Sequence, residues 1–235
     1  MKQYVGHSWL ILLLALLVGE GWAQAEEKWA AARERMVTDQ LQGRDITDPL
    51  VLAAMGKVPR HLFVPDYLAS RAYGDHPLPI GSGQTISQPY IVALMTQWGE
   101  VKPGDKVLEV GTGSGYQAAV LAEITTKVFT IELLPDLAQA ARTRLNKLGY
   151  AGVQVRTGNG YLGWPEEAPF DAILVTAAAP KIPPALAEQL AEGGRLVIPL
   201  GPAYQPQELI RFRKVKGKLQ EEARLPVMFV PLVSP

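Results

Sequence analysis

A glycine-rich turn between a predicted strand and a predicted helix constrains the fold of this chain more than any other feature. The strand is Lys106–Val110 (KVLEV), and the turn that follows it has the sequence GTGSG. A second apolar strand, Lys127–Ile131, is followed by Glu132, 21 positions after Gly111. Glycines let a backbone turn tightly and approach a ligand, and a carboxylate after the next strand can accept hydrogen bonds from both hydroxyls of a ribose. The pattern predicts a ribose-containing ligand at the carboxyl edge of a parallel sheet.

The chain after this turn alternates between helix and strand patterns. Apolar periodicity predicts helices at Tyr116–Ile124, Pro135–Leu148 and Pro183–Leu190, and strands at Val153–Arg156, Phe170–Thr176 and Arg195–Leu200. This alternation predicts an α/β fold with a doubly wound, mostly parallel, Rossmann-like sheet. Two further strands, Leu209–Lys214 and Val227–Leu232, are expected to form a C-terminal antiparallel pair.

The region before the sheet has a different character. Residues 27–56 have a loose helical pattern, and residues 58–88 are rich in proline and glycine, which is typical of irregular and often functional backbone. Pro89–Trp98 has a helical pattern again, and Ser87 is predicted to be its N-cap.

The first 25 residues have the pattern of a secretory signal peptide. Lys2 is followed by an uncharged, largely apolar stretch and then by Ala23-Gln24-Ala25, a small-residue cleavage site. The pattern predicts an exported, periplasmic protein without stable membrane association after cleavage; an uncleaved N-terminal anchor is the alternative. The mature chain is then divided into an N-terminal helical and substrate-loop region, residues 26–100, and a ligand-binding core, residues 101–235.

The composition excludes several kinds of site. The chain has no cysteine and only three histidines, so thiolate nucleophiles and cysteine-bound metals are excluded and no metal site is expected. Lys plus Arg and Asp plus Glu both number 23, and this zero net charge argues against a nucleic-acid partner. We expect a monomer that binds neither metal nor nucleic acid.

The glycine-rich turn resembles motif I of the class I methyltransferases, which bind S-adenosylmethionine. Residues 109–115 have the pattern E-x-G-x-G-x-G, and Tyr116 stands where the dinucleotide fingerprint needs a glycine. The family usually has Gly-Asp after the third strand, to reach the adenine amino group; this chain has Gly158-Asn159, and a neutral Asn accepts that hydrogen bond without charge assistance. The resemblance implies that the cofactor is bound by Glu109, Gly111, Thr112, Gly113, Ser114, Gly115, Glu132, Leu133, Gly158 and Asn159.

A second segment resembles the signature of the protein-L-isoaspartate O-methyltransferases. Residues 78–90 (LPIGSGQTISQPY) carry this match, and further matches extend the resemblance over residues 33–233. The resemblance implies methyl transfer from S-adenosylmethionine to the free carboxylate of L-isoaspartyl residues in damaged proteins and peptides. It also implies that Ser87 is the active-site serine and that Thr85, Ile86 and Ser87 line the junction between cofactor and substrate.

The implied chemistry requires alignment more than proton transfer. A carboxylate acceptor is already ionised at neutral pH, because carboxyl pKa values lie near 4, so it needs no general base. We expect Ser87 to position the acceptor, and backbone contacts from residues 78–90 and 231–233 to hold the peptide, in a site that excludes water. Two alternatives stay open: a methyltransferase for another acceptor, and a cofactor-binding protein without catalysis, for which Asn159 would be the marker.

Overall fold

The computed structural model of the chain describes residues 26–234. The predicted signal peptide, residues 1–25, lies outside the described residues. Within the described part of the chain, no helix has both the length and the apolar character that crossing a membrane requires.

The first part of the described chain consists of helices and one short hairpin. Helix α1 covers residues 26–42, and its last part, Met36–Gln42, is π-helical. The other elements are α2 (Pro49–Lys57), the 3-10 helices Arg60–Phe63 and Asp66–Arg71, the hairpin strands β1 (Leu78–Gly81) and β2 (Gln84–Ile86), and α3 (Pro89–Trp98). The segment that was expected to be irregular, residues 58–88, therefore contains short regular elements between its turns.

A seven-stranded sheet follows, in the spatial order β5-β4-β3-β6-β7-β8-β9. Its strands are β3 (Lys106–Val110), β4 (Lys127–Glu132), β5 (Gln154–Thr157), β6 (Phe170–Val175), β7 (Leu190–Leu200), β8 (Gln207–Val215) and β9 (Lys218–Val227). Helices α4 (Tyr116–Ala122), α5 (Pro135–Lys147) and α6 (Pro184–Gln189) connect the parallel strands. Strands β3 to β7 pair in parallel, and β8 and β9 add to β7 as an antiparallel extension. The predicted doubly wound, mostly parallel sheet is confirmed.

The sheet has a hydrophobic core on each face. Along β6, Ala172 and Leu174 belong to one core, whereas Ile173 and Val175 belong to the other, because successive side chains of a strand point to opposite faces. The first core also contains side chains of α1, α2 and α3, such as Met55, so it joins the N-terminal helices to the sheet. The strand–helix crossovers place the carboxyl ends of β3, β4 and β6 at one edge, and the strand order reverses between β3 and β6.

The C-terminal strand was predicted at the wrong place. The last strand is β9, Lys218–Val227, and residues 228–232 lie beyond it; Pro231 makes only an isolated bridge to Ala178. A tight turn joins β8 to β9 at Lys216 and Gly217, which both have positive φ. Strand β9 is an edge strand without a buried residue and has a charged sequence, so it lacks the apolar alternation by which strands are predicted. The length of strand β7 was also underestimated, since the strand begins at Leu190 rather than at the predicted Arg195.

The predicted N-cap of α3 is wrong as well. The N-cap position is Gln88, and no side chain of residues 26–234 caps this helix. Pro89 occupies the first helical position, where its missing N–H removes one of the donors that a cap would satisfy. Ser87 is therefore one residue too early to cap the helix.

Candidate active site

A pocket opens at the carboxyl ends of β3, β4 and β6, where the strand order reverses. The glycine turn after β3, residues 131–134 at the end of β4, and Thr176 after β6 line it. Strand β2 with the adjacent Ser87, and the C-terminal residues 230–233, line the same pocket. Crevices at such reversal points are the usual ligand sites of open α/β sheets.

The glycine turn has a backbone shape that requires glycine. Gly111, Gly113 and Gly115 all have positive φ, at 102°, 52° and 88°. A Cβ on Gly111 would lie 2.4 Å from Thr176 Oγ1, which itself donates a hydrogen bond of 2.6 Å to the Gly111 carbonyl. The turn is thus held against the residue that follows β6, and there is no room for a side chain at its first position.

Glu132 connects the end of β4 to the glycine turn. Its Oε2 accepts a hydrogen bond of 2.8 Å from the Gly113 N–H, and its Oε1 accepts one of 3.1 Å from the Leu134 N–H. The side chain is buried but lines the pocket. Two backbone donors therefore fix the orientation of the carboxylate that was predicted to bind ribose.

Glu109 is a fully buried carboxyl group that also lines the pocket. The Thr130 hydroxyl donates a hydrogen bond of 2.6 Å to its Oε2, and the Thr112 hydroxyl lies 2.7 Å from that of Thr130. Because Thr130 uses its proton on Glu109, Thr112 must donate to Thr130. Among the described residues, Glu109 Oε1 has no hydrogen-bond partner. Burial raises the pKa of this carboxyl to about 8.

Ser87 lies in the loop between β2 and α3 and is half-buried. Its backbone carbonyl accepts a hydrogen bond of 2.7 Å from Arg60 Nη2, and its side chain lines the pocket. Within residues 26–234, the Ser87 hydroxyl makes no hydrogen bond. Thr85 and Ile86 line the pocket beside it, so the loop and the cofactor turn meet as the sequence predicted.

Most of the predicted cofactor residues line the pocket, but three do not. Residues 111–114 and Leu133 line the pocket with Glu109 and Glu132, whereas Gly115 does not line it and is the N-cap residue of α4. Gly158 and Asn159 are not among the lining residues. The Asn159 side-chain oxygen instead accepts a hydrogen bond of 3.0 Å from the Tyr161 N–H and caps a 3-10 helix, so its contact with adenine stays a prediction.

Several pocket residues were missed by the sequence analysis, among them Gly160, Thr176 and Ala177. Gly160 lines the pocket next to the expected Gly158-Asn159 pair, and Thr176 and Ala177 line it after β6. The position of Thr176 could have been inferred, because the residue that follows a strand next to β3 reaches the same sheet edge. Over residues 26–234 there is no group of three or more His, Cys, Asp or Glu residues that could hold a metal ion.

Comparison with known proteins gives consistent matches. The family model of "Protein-L-isoaspartate(D-aspartate) O-methyltransferase (PCMT)" matches residues 31–235. A protein-L-isoaspartate O-methyltransferase of Opitutus terrae is 56% identical over 221 residues, 94% of this chain and 95% of the relative. One from a Polaromonas species is 58% identical over 210 residues, 89% of this chain and 98% of the relative. A solved Plasmodium falciparum beta-aspartate methyltransferase in complex with S-adenosyl-L-homocysteine has a TM-score of 0.74 and 29% identity, covering 86% of this chain and 99% of that one.

Proposed function

Because the chain belongs to the family of protein-L-isoaspartate(D-aspartate) O-methyltransferases, we propose that its pocket aligns bound S-adenosylmethionine with an isoaspartyl carboxylate beside Ser87. The chain is an enzyme that transfers a methyl group from S-adenosylmethionine to the free carboxylate of L-isoaspartyl residues in damaged proteins and peptides, which initiates their repair. One observation supports the proposed alignment: the cofactor turn and the loop that contains Ser87 line a single pocket.

The residues of the pocket fit this methyl donor. Each oxygen of Glu132 accepts one backbone hydrogen bond, and a carboxylate has about four acceptor positions, so two remain for ribose hydroxyls. Glu109 Oε1 is buried and has no partner among the described residues, and the cationic methionine end of the cofactor would favour the ionised form of this carboxyl. When bound, the cofactor supplies a methyl group that its positively charged sulfur has already activated.

The chain's own residues then have to hold and orient the acceptor. An isoaspartyl carboxylate is ionised at neutral pH, so no residue has to remove a proton from it. The Ser87 hydroxyl is free to donate a hydrogen bond to one carboxylate oxygen, which turns the other oxygen towards the methyl group. Residues 230–233 and Ile86 border the same space and reduce the access of water.

We propose that the acceptor peptide binds in an extended form along residues 231–233. On one side of this segment, the Val230 carbonyl accepts from the Ala178 N–H at 2.8 Å and the Leu232 N–H donates to the Ala178 carbonyl at 2.7 Å. Alternate residues of an extended segment direct their backbone groups to opposite sides. The Pro231 carbonyl and the Val233 N–H therefore face away from Ala178, where they can pair with a peptide backbone.

The role of Ser87 is tested by Ser87→Ala, with Ser70→Ala at an exposed position as the matched control. Loss of a hydrogen bond to a charged group costs about 1.5–3 kcal/mol, so we expect kcat/KM to fall by about 10- to 100-fold. Ser70→Ala is expected to keep wild-type kinetics. Full turnover of Ser87→Ala on an isoaspartyl peptide would show that the hydroxyl does not position the acceptor.

The acceptor is tested with labelled S-adenosylmethionine and two peptides that differ only in isoaspartate or normal aspartate. Label on the isoaspartyl peptide alone, released as methanol by mild base, is the expected result. Cofactor binding without label on either peptide would favour another acceptor or a binding protein without catalysis.

We propose that the protein is exported and acts as a monomer. The signal-peptide pattern of residues 1–25 supports export. Separately, the zero net charge of the mature chain gives it no general attraction to nucleic acid. Mature protein that begins at Glu26 in a periplasmic fraction would support this location, and an intact Met1 in the cytosol would contradict it. Light scattering of the mature chain measures the oligomeric state directly.

A further inference from the structure

Arg60 is a fully buried side chain directly behind the loop that contains Ser87. Its Nη2 donates a hydrogen bond of 2.7 Å to the Ser87 carbonyl, and its Nε donates one of 2.7 Å to the Ala72 carbonyl. The guanidinium carbon lies 4.8 Å from the centroid of the Tyr116 ring, at the start of α4. One side chain thus connects the acceptor loop, the segment before β1, and the helix that follows the cofactor turn.

The positive charge of Arg60 has no anionic partner within the described residues. Its hydrogen-bond acceptors are backbone carbonyls, and Nη1 has no partner among residues 26–234. The titratable groups that face it are Tyr116 and Tyr73, and burial raises the pKa of both phenols, that of Tyr116 to about 12. Both are neutral at pH 7, whereas Arg60, whose pKa burial lowers to about 10, is still charged.

A buried charge of this kind is costly unless an opposite charge compensates for it. Two carbonyl acceptors and an aromatic ring reduce that cost without neutralising the charge. The established acceptor of this enzyme family is an anion, and Ser87, which Arg60 holds by its carbonyl, lines the pocket in which that anion has to bind.

We propose that Arg60 is a positioning residue for the acceptor: it fixes the Ser87 peptide and supplies the positive charge that makes this end of the pocket selective for a carboxylate. This inference rests on the proposed placement of the acceptor beside Ser87. The charge acts on binding more than on the methyl-transfer step, because the acceptor loses its negative charge as the ester forms. Arg60 therefore affects KM for the peptide more than kcat, and it also favours release of the neutral ester.

Two substitutions of Arg60 separate the effect of its charge from the effect of its size and shape. Arg60→Met removes the charge and keeps much of the length, whereas Arg60→Lys keeps the charge with a single donor group. Arg71→Met, at an exposed position of the neighbouring 3-10 helix, is the control. A unit charge about 6–10 Å from the acceptor, at an effective dielectric constant of about 20, corresponds to a change in affinity of about 10- to 100-fold.

We expect Arg60→Met to raise KM for an isoaspartyl peptide by about 10- to 100-fold, while kcat and the dissociation constant of S-adenosylmethionine change by less than about threefold. Arg60→Lys should restore KM to within a few-fold of wild type. Equal increases of KM in Arg60→Met and Arg60→Lys would show that the charge of Arg60 does not contribute to peptide binding. A parallel loss of cofactor affinity would show that Arg60 acts through Tyr116 and the cofactor turn. Either result overturns the proposal.

A measurement on the wild-type enzyme keeps the test valid if Arg60→Met does not fold. Binding of an isoaspartyl peptide and of its neutral carboxamide analogue is measured in the presence of S-adenosylhomocysteine. A preference for the carboxylate of about tenfold or more is expected, and a ratio near one would overturn the role of Arg60. If the wild-type enzyme methylates the isoaspartyl peptide but shows no such preference, only this inference fails; if it methylates no isoaspartyl peptide, the proposed function fails with it.

Discussion

Replacing Glu109 with glutamine is expected to change how the stability of the enzyme depends on pH. Glu109 is fully buried, and only one of its oxygens has a hydrogen-bond partner among the described residues, the Thr130 hydroxyl. Burial raises the pKa of this carboxyl from 4.5 to about 8, and the neighbouring Glu132 adds to the effect. At neutral pH the group is therefore mostly protonated in the folded chain and ionised in the unfolded chain.

The sign of the effect follows from proton binding. Between about pH 4.5 and pH 8, the folded chain holds a proton at Glu109 that the unfolded chain has lost. Stability falls with rising pH wherever the folded state binds more protons, so the contribution of Glu109 is complete below pH 4.5 and is lost as the pH rises through 8. A difference of about 3.5 pH units, at about 1.4 kcal/mol each, sets an upper limit of about 5 kcal/mol on this loss.

The measurement is urea unfolding of the chain that begins at Glu26, at pH 5, 7 and 9 and constant ionic strength. We take the free energy of unfolding of E109Q minus that of wild type. From pH 5 to pH 9 this difference should rise by several kcal/mol, close to the upper limit given above, because glutamine has no proton to lose. Taking the difference cancels the other titrating groups. E166Q, which changes an exposed carboxylate, should show no such trend. A difference for E109Q that does not vary with pH would refute a protonated Glu109 in the free enzyme.

Two further predictions concern the glycine turn and the attachment of α1. Gly111→Ala should destabilise the chain more than Gly149→Ala, although both glycines have positive φ. A Cβ at Gly111 would lie 2.4 Å from Thr176 Oγ1, whereas one at Gly149 would meet no atom of the described residues within 4 Å. Unfolding measurements should give about 1 kcal/mol for Gly149→Ala, and an equal loss at Gly111 would contradict the clash. His61 stacks on Trp29 of α1 with 4.5 Å between the ring centroids. Burial lowers the pKa of His61, so the stacked contact is stable above pH 6.5 and weakens as the pH falls below that value. The rate of hydrogen exchange of residues 26–42, corrected for the intrinsic rate, should rise from pH 7 to pH 5 in wild type but not in H61F. A wild-type rate that does not change with pH would show that His61 does not hold α1 in this way.

The centre of the fold and the cofactor side of the pocket could be predicted because their signals are local. A buried strand, three glycines with positive φ and an acid after the next strand lie close in sequence, and the hydrogen bond from the Gly113 N–H to Glu132 joins them in space. The doubly wound topology follows from the alternation of strands and helices. In contrast, β9 has a charged sequence at a sheet edge, so burial gives it no apolar pattern to detect.

The acceptor side could be predicted only in part, because it depends on contacts between distant segments. The segment at residues 84–87 was identified from its resemblance to a family signature, but nothing local to it indicates that Arg60 lies behind the Ser87 carbonyl. The bridge from Pro231 to Ala178 similarly joins segments that are far apart in sequence. At Asn159, a capping hydrogen bond to Tyr161 competes for the side-chain oxygen that was expected to face the ligand.

Two buried ionisable side chains lack charged partners among the described residues: Glu109 on the side of the methyl donor and Arg60 on the side of the acceptor. Glu109 lies within β3, the strand that leads into the cofactor turn, and Arg60 lies behind the loop that faces the acceptor. The acceptor is an anion, so Arg60 can compensate its charge directly. The methyl donor is a cation, and Glu109, which is mostly protonated in the free enzyme at neutral pH, can compensate that charge once it has lost its proton. Neither group has a counter-ion among the described residues, and both therefore reduce the stability of the free enzyme. We expect binding of the two substrates to reduce that cost, so that the affinity of the pocket depends on the burial of these two side chains.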